Sequence, residues 1–257
     1  MNQTEQQIDL WGARAQDWAE VEDEGSRPLF ETVLDAAGVR GGTRLLDVGC
    51  GSGLACAIAA ARGAEVSGLD ASPGLLNVAR GRVPEGDFRL GDMVSLPWED
   101  DAFDAVTFIN TIFFASDRET ALREAGRVAR RGACIAVISW ASPDKVESTA
   151  YLAALEPLLP PLPAEIDPFI EPAQLERLAG AAGLAPERMI DLDWAWQYPD
   201  RETALRGWMS PGPSTVAIGA SGEQPVRDAL ARTLEQFRLT DGGYRLENTV
   251  HCLIAVA

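Results

Sequence analysis

An α/β fold built on a mostly parallel sheet is what this sequence predicts, and three observations predict it. From Leu45 to Ala136, short apolar runs alternate with segments of helical periodicity, as strands buried on both faces alternate with the helices that cover them. A glycine-rich turn, Gly49-Cys50-Gly51-Ser52-Gly53, stands between the first of these runs and the first of these helices. The 257 residues are 46% hydrophobic and 24% charged, which is enough apolar side chain to bury a real core.

Taken in order, the first forty residues read as two helices, with Trp11 and Trp18 two turns apart and so on one face. Strands are predicted at Arg44 to Val48, Glu65 to Leu69, Phe88 to Leu90, Ala105 to Ile109 and Cys134 to Ser139. The helices between them fall at Leu54 to Arg62, Gly74 to Val83 and Arg118 to Arg130. After Trp140 the rhythm changes to a proline-rich stretch, Leu158-Leu-Pro-Pro-Leu-Pro, and a helix-like segment from Glu171 to Ala182 ended by Gly183, which reads as an insertion over the sheet. Arg188 to Trp196 alternates as a strand, Arg201 to Met209 and Gln224 to Phe237 read as helices, and Tyr244 to Val256 is a long final strand.

Charge and residue counts exclude several chemistries. Twenty-two Lys+Arg against 39 Asp+Glu give a net charge of −17, which repels a polyanionic backbone, so nucleic acid is not an expected partner. No apolar stretch approaches the ~18–20 residues of a membrane span, and the polar start has no basic segment followed by an apolar one. A cytoplasmic location is the expectation. Cys50, Cys56, Cys134 and Cys252 have no metal-site spacing and read as reduced, buried thiols. One histidine forbids H-E-x-x-H and multi-histidine sites, so no metal is expected, and no G-x-S-x-G elbow is present. Lys145, the only lysine, sits in a polar loop and not in the apolar pocket a Schiff-base lysine needs.

The glycine turn is the informative segment. Glycines there let the chain turn tightly and let a ligand approach the main chain at a helix N-terminus. A dinucleotide fingerprint would need its third glycine at position 54, where Leu54 stands, and a P-loop would need a lysine that is absent. Asp47-x-Gly49-x-Gly51-x-Gly53 instead resembles motif I of the class I S-adenosylmethionine-dependent methyltransferases. Asp70-Ala71-Ser72 at the end of the next strand, Gly91-Asp92-Met93 after the third, and Leu96-Pro97-Trp98 followed by Asp101-Ala102-Phe103-Asp104 are similar to that family's later motifs in their expected order.

The resemblance implies a Rossmann-like, seven-stranded, mostly parallel sheet whose last strand is antiparallel. It implies one domain over 1–257: an N-terminal helical lid over 1–37, a cofactor-binding core over 38–141, and helical cap insertions with the last two strands over 142–257. It also implies that Asp47, Gly49, Cys50, Gly51 and Gly53 cradle the cofactor and that Asp70, with Ala71 and Ser72, meets the ribose hydroxyls. Gly91, Asp92 and Met93 would hold the adenine, and Asn110, after strand four, would lie beside cofactor and acceptor. Asn110-Thr111-Ile112-Phe113 resembles the Asn-Pro-Pro-Phe box of amino-methylating nucleic-acid enzymes but lacks both prolines.

Phe113, Trp140, Tyr244 and Asn248 are expected at the acceptor, with Asn110 a catalytic candidate as well. His251 reads either as a structural histidine or as an acceptor-facing base. Trp11 and Trp18 resemble the aromatic helix that closes over the cofactor in small-molecule members, or pack as an ordinary amphipathic face. Trp194, Trp196, Trp208 and Phe169 would line an apolar acceptor pocket or belong to the core.

The implied reaction moves a methyl group from S-adenosylmethionine to a small-molecule acceptor, expected in secondary metabolism, with S-adenosylhomocysteine as product. Its alternatives are a cyclisation or elimination that uses the same cofactor without methyl transfer, and a non-catalytic interaction protein on the same fold.

Overall fold

The structure, a computed structural model, describes residues 10–160 and 167–257. The last part of the proline-rich stretch, Pro161 to Pro163, and the first nine residues of the expected lid lie outside the described residues. Residues 10–12 are helical. A short α1 (Ala15–Asp17) then winds into a six-residue π-helical turn (Trp18–Asp23) and on into α2 (Glu24–Ala36).

Five strands and three helices follow. They comprise β1 (Arg44–Val48), α3 (Leu54–Ala61), β2 (Glu65–Asp70), α4 (Pro73–Arg82), β3 (Asp87–Leu90), β4 (Phe103–Phe108), α5 (Arg118–Val128) and β5 (Ala129–Trp140). Local chemistry sets the helix starts. Ser72 caps α4 by accepting from the Leu75 N–H at 3.3 Å, with Pro73 at the first helical position, and Asp117 caps α5 by accepting from the Thr120 N–H at 3.1 Å.

The second half carries α6 (Thr149–Leu155), α7 (Pro172–Ala181), β6 (Ala185–Tyr198), α8 (Arg201–Trp208), α9 (Gly212–Ser221), α10 (Glu223–Leu234) and β7 (Tyr244–Val256). The seven strands lie in the order β3-β2-β1-β4-β5-β7-β6. The first five are parallel, and β7 runs antiparallel to both β5 and β6. Six strands therefore share one direction and the last strand is inverted, as expected.

Where prediction and structure differ, a contact explains it. The helix expected through Arg130 ends at Val128, because Ala129 already pairs with Phe103 and Arg130 leaves the helix to meet Asp104 at 2.9 Å. β6 extends past both predicted ends because β7 pairs along its whole length. α9, with glycine, proline and serine at its start, lies outside the helices predicted from sequence. It is helical because Ser214 is buried against Tyr151, the two hydroxyls lying 2.9 Å apart, and Ala217 is fully buried.

Alternation along the strands splits the core into two layers. Leu45, Ala105, Ile138, Val250 and Cys252 face α2, α3 and the cap helices; Leu46, Val106, Val137, Leu253 and Ala255 face α5 and α7. Cys50, Cys56 and Cys252 are buried free thiols, and burial pushes all three above the ordinary thiol range. Among the described residues no helix is long and apolar enough to cross a membrane.

One feature of register governs the site. β5 pairs with β7 only from Cys134↔Val256 to Trp140↔Val250, whereas Tyr244 to Thr249 run on beyond β5 against β6, from Tyr198 to Asp193, with single bridges from Arg238 to Tyr244 and from Val146 to Asn248. At ~3.3 Å per residue, the β6–β7 ribbon overhangs the carboxyl edge of the sheet by about 20 Å.

Candidate functional site

The carboxyl ends of β1 to β4 bring the sequence motifs together, where ligands of doubly wound sheets bind. The glycine turn is tied to β2, since the N–H groups of Gly49 and Cys50 both donate to the Leu69 carbonyl, at 2.7 and 2.9 Å. Gly49, Gly51 and Gly53 all have positive φ, at 75°, 54° and 81°. A Cβ at Gly49 would fall 2.6 Å from the Thr111 Cβ, and one at Gly53 2.9 Å from the Ala79 Cα. A Cβ at Gly51 would meet nothing within 4 Å, so the main chain there is open to a ligand. Cys50 contributes only its backbone, because its side chain packs beneath against Gly68.

Asp70 faces that opening. Its Oδ2 accepts from the Gly51 N–H and its Oδ1 from the Ser72 N–H, both at 2.8 Å. Burial raises its pKa against these stabilising N–H groups. The Gly91 N–H donates to the Asp70 carbonyl, which sets Gly91, Asp92 and Met93 beside the same carboxylate. Asp92 accepts from the Val94 N–H at 3.1 Å, and Met93 is half-buried. Asp47 is different: it lies 3% exposed beneath the turn and accepts from the Thr107 hydroxyl at 2.7 Å. Burial pushes its carboxyl up to about 7, and it supports the turn from below.

After β4, Asn110 adopts a left-handed φ of 55°, and its Oδ1 is buried with no hydrogen-bond partner. Thr111 donates its hydroxyl to the Val48 carbonyl at 2.8 Å, locking this turn to the end of β1. Ile112–Phe114 then forms a 3-10 turn. Its tight pitch sends Phe113, expected at the acceptor, into the core beside Leu122 and Phe108, and leaves Phe114 as the outward ring.

The N-terminal segment closes over these motifs. Trp11 sits edge-on to Trp18 at 5.0 Å and to Phe114 at 5.8 Å. Gly12 lies against Gly74, where a Cβ would come 2.8 Å from the Gly12 Cα, next to the Ser72 cap. Asp23, in the π-helical turn, accepts from the Ser52 hydroxyl of the glycine turn and from Arg82 at 3.0 Å, while Arg82 also donates to the Ala19 carbonyl at 2.6 Å. Burial outweighs these partners and pushes Asp23 up to about 6. Its neighbour Glu22 accepts from the Tyr198 hydroxyl at 2.9 Å and is pushed by burial to about 8. None of Asp23, Arg82, Thr107 and Phe114 stood out in the sequence, because each acts through a partner distant in the chain.

The overhanging ribbon carries the remaining predicted residues. Trp140, at the end of β5, lies 5.4 Å from Trp194 and 5.9 Å from Trp196 between ring centroids. Tyr244 and Asn248, expected at the acceptor, are each 2% exposed and already engaged. The Tyr244 hydroxyl donates to Glu235 at 3.3 Å; the Asn248 amide accepts from the Ser148 N–H at 3.1 Å and donates to the Leu246 carbonyl at 3.2 Å. His251 pairs in register with Ser139 and Asp191, and its Nδ1 lies 2.7 Å from Asp191 Oδ1. By alternation it shares the α7-side face with Leu253 and Ala255, opposite Trp194 and Trp196.

Comparison with known proteins agrees with this assembly. Residues 46–137 match a family model described as a methyltransferase domain. An uncharacterized protein of Mycobacterium tuberculosis is 35% identical over 156 residues, covering 59% of this chain and 56% of the relative. A demethylmenaquinone methyltransferase of Renibacterium salmoninarum is 38% identical over 111 residues, 43% of this chain and 47% of that one. The chain thus spans about half the length of the curated relatives it matches. The crystal structure of a putative methyltransferase from Bacillus halodurans superimposes with a TM-score of 0.60 at 15% identity, over 88% of this chain and 97% of that one, a likeness of fold. Motif I, Asp70 and Asp92 thus gather at one sheet edge inside residues 46–137, the segment of the chain that matches a methyltransferase domain.

Proposed function

We propose that this protein transfers the methyl group of S-adenosylmethionine to a small-molecule acceptor held beneath the N-terminal segment, in a biosynthetic setting. The observation that carries the reading is Asp70, whose two carboxylate oxygens are each fixed by one backbone N–H beside the open main chain at Gly51. Each oxygen keeps lone-pair capacity for a further donor, which suits a ribose diol. Asp92 and Met93 would hold the adenine, and the buried, partnerless Asn110 Oδ1 suits an N–H donor such as the ammonium of the cofactor's amino-acid end.

When bound, the cofactor supplies a sulfonium methyl group open to in-line attack. This chain's residues would align the acceptor and exclude water, the needs of such a displacement, with a base required only if the acceptor must lose a proton. Trp11, Trp18 and Phe114 supply an apolar cover. His251 is given no part in the chemistry, because it occupies the other face of the sheet with Asp191 as its partner. The charge of −17 argues for a small molecule over a nucleic acid. The demethylmenaquinone methyltransferase among the relatives is named for an acceptor of the small-molecule kind.

Calorimetric titration tests the reading. S-adenosylmethionine and S-adenosylhomocysteine are expected to bind at micromolar Kd, roughly 8 kcal/mol. Asp70→Ala should weaken both by about 1–3 kcal/mol through lost charge-assisted hydrogen bonds. Binding of NADH in their place, or an unchanged affinity in the variant, overturns the assignment. Mass analysis of the product with a methyl-labelled donor separates transfer from a reaction that leaves the methyl group on the cofactor.

A further inference from the structure

Three indoles crowd the base of the overhanging ribbon, and they are not equivalent. Trp196 is saturated, its Nε1–H donating to the Glu22 carbonyl at 3.2 Å and the Ser26 hydroxyl at 3.0 Å. Trp194 is 6% exposed, yet its Nε1–H has no acceptor. Its near neighbours do not meet it: Asn248, its register partner on β7, directs its amide to Leu246 and Ser148, and the nearby Trp196 ring offers only the weak acceptor of an aromatic face. Buried indole N–H groups ordinarily find a partner, so a donor left over on a ring packed against Trp140, at the carboxyl end of β5, points to an acceptor atom brought by a ligand.

Position supports this. Trp140 and Asn110 leave the sheet from adjacent strands, since Phe108 of β4 pairs with Val137 of β5. Half-buried Trp140 therefore stands between the Asn110 turn and Trp194, with its plane tilted 39° from that of Trp194. Two indole plates favour a flat conjugated partner. A cation would suit the ring faces, but the positive end of the free N–H opposes it.

Building on the methyltransferase reading of this edge, we propose that Trp140 and Trp194 are the acceptor-recognition wall. They stack a planar, conjugated, uncharged or anionic acceptor, and the Trp194 Nε1–H donates to a carbonyl or phenolate oxygen on it. Trp194 is a specificity-determining residue here and takes no part in the displacement.

The test uses two planar isosteres, 2-acetylnaphthalene and 2-isopropenylnaphthalene, which differ in a carbonyl oxygen against a methylene. Each is titrated into the full chain saturated with S-adenosylhomocysteine. The ketone is expected to bind five- to tenfold more tightly than the alkene, the worth of one net hydrogen bond. Trp194→Phe, which keeps an aromatic ring and removes the donor, should bind both at the alkene's affinity while binding S-adenosylhomocysteine as the native protein does. A second readout needs no variant: in 15N-indole spectra of the native protein the Trp194 resonance should shift with the ketone and stay with the alkene. Equal affinity for the pair, discrimination that survives in Trp194→Phe, or an unmoved resonance overturns the proposal. So does failure of both probes to bind while S-adenosylhomocysteine binds, and in that case the methyltransferase reading stands; failure of S-adenosylhomocysteine itself removes both.

Discussion

Asp47 lies under the glycine turn with the Thr107 hydroxyl as its donor, a buried acid whose carboxyl burial raises to about 7. Thr107→Val keeps the shape and removes the donor. It should destabilise the fold by roughly 1–3 kcal/mol, the cost of a buried polar group without its partner, and a thermal melt that matches the native one would show that Asp47 does not depend on Thr107. Asp47 was legible from the motif while Thr107 was not, because the bond joins β1 to β4 and no local pattern marks it. The same holds more widely at this edge. Gly49, Gly51, Gly53, Asp70 and Asp92 stand at or just past the carboxyl ends of β1, β2 and β3, positions that follow from the strands alone. Phe113 against Phe114 turned on a 3-10 turn whose phase no periodicity reveals, and Tyr244 and Asn248 turned on cap contacts with Glu235 and Ser148.

At the scale of elements, the π-helical turn Trp18–Asp23 joins the two halves of the molecule. Its Asp23 reaches Ser52 of the glycine turn and Arg82 of α4, and its Glu22 reaches Tyr198 of β6. Facing Glu22 are Tyr198 of β6, Gly207 of α8, its neighbour Asp23, and Tyr151 of α6 at longer range. With a folded pKa of about 8 against about 4.3 when unfolded, the native state keeps a proton that the unfolded chain has released between those values. Stability contributed by this group is complete below about pH 4.3, declines as pH rises, and is lost once pH passes about 8. Glu22→Gln should therefore melt higher than the native protein at pH 8–9 and show a shallower fall between pH 5 and 8. Part of the slope should remain through Asp23 and Asp47, whose pKa values are raised in the same sense. Parallel melting curves across that range would exclude the role. Sequence periodicity supplied the helices on either side of this turn but not its π geometry, which leaves no composition signature.

For the whole molecule, the parallel half was readable because its strands and helices alternate along the chain, each beside the next. The second half was less so: α6 and α9 are helical through tertiary burial, and the extent of β6 was set by a partner made forty-odd residues later. That partner, β7, is last in order yet lies between β5 and β6. A chain ended at Gly243 should keep a protease-resistant core through Trp140 and lose protection beyond it, since β6 has no other strand to pair with; survival of residues 185–198 under limited proteolysis would contradict this. On the ribosome the same topology becomes a schedule. The glycine turn, Asp70 and Asp92 emerge and can fold while β6 still waits for its neighbour. The π-helical turn, although made first, cannot rest on Tyr198 and Trp196 until the final strand has threaded between them and β5. The glycine-turn edge is thus built early and the N-terminal segment that packs over it is fastened last, which leaves an interval in synthesis when that edge stands uncovered.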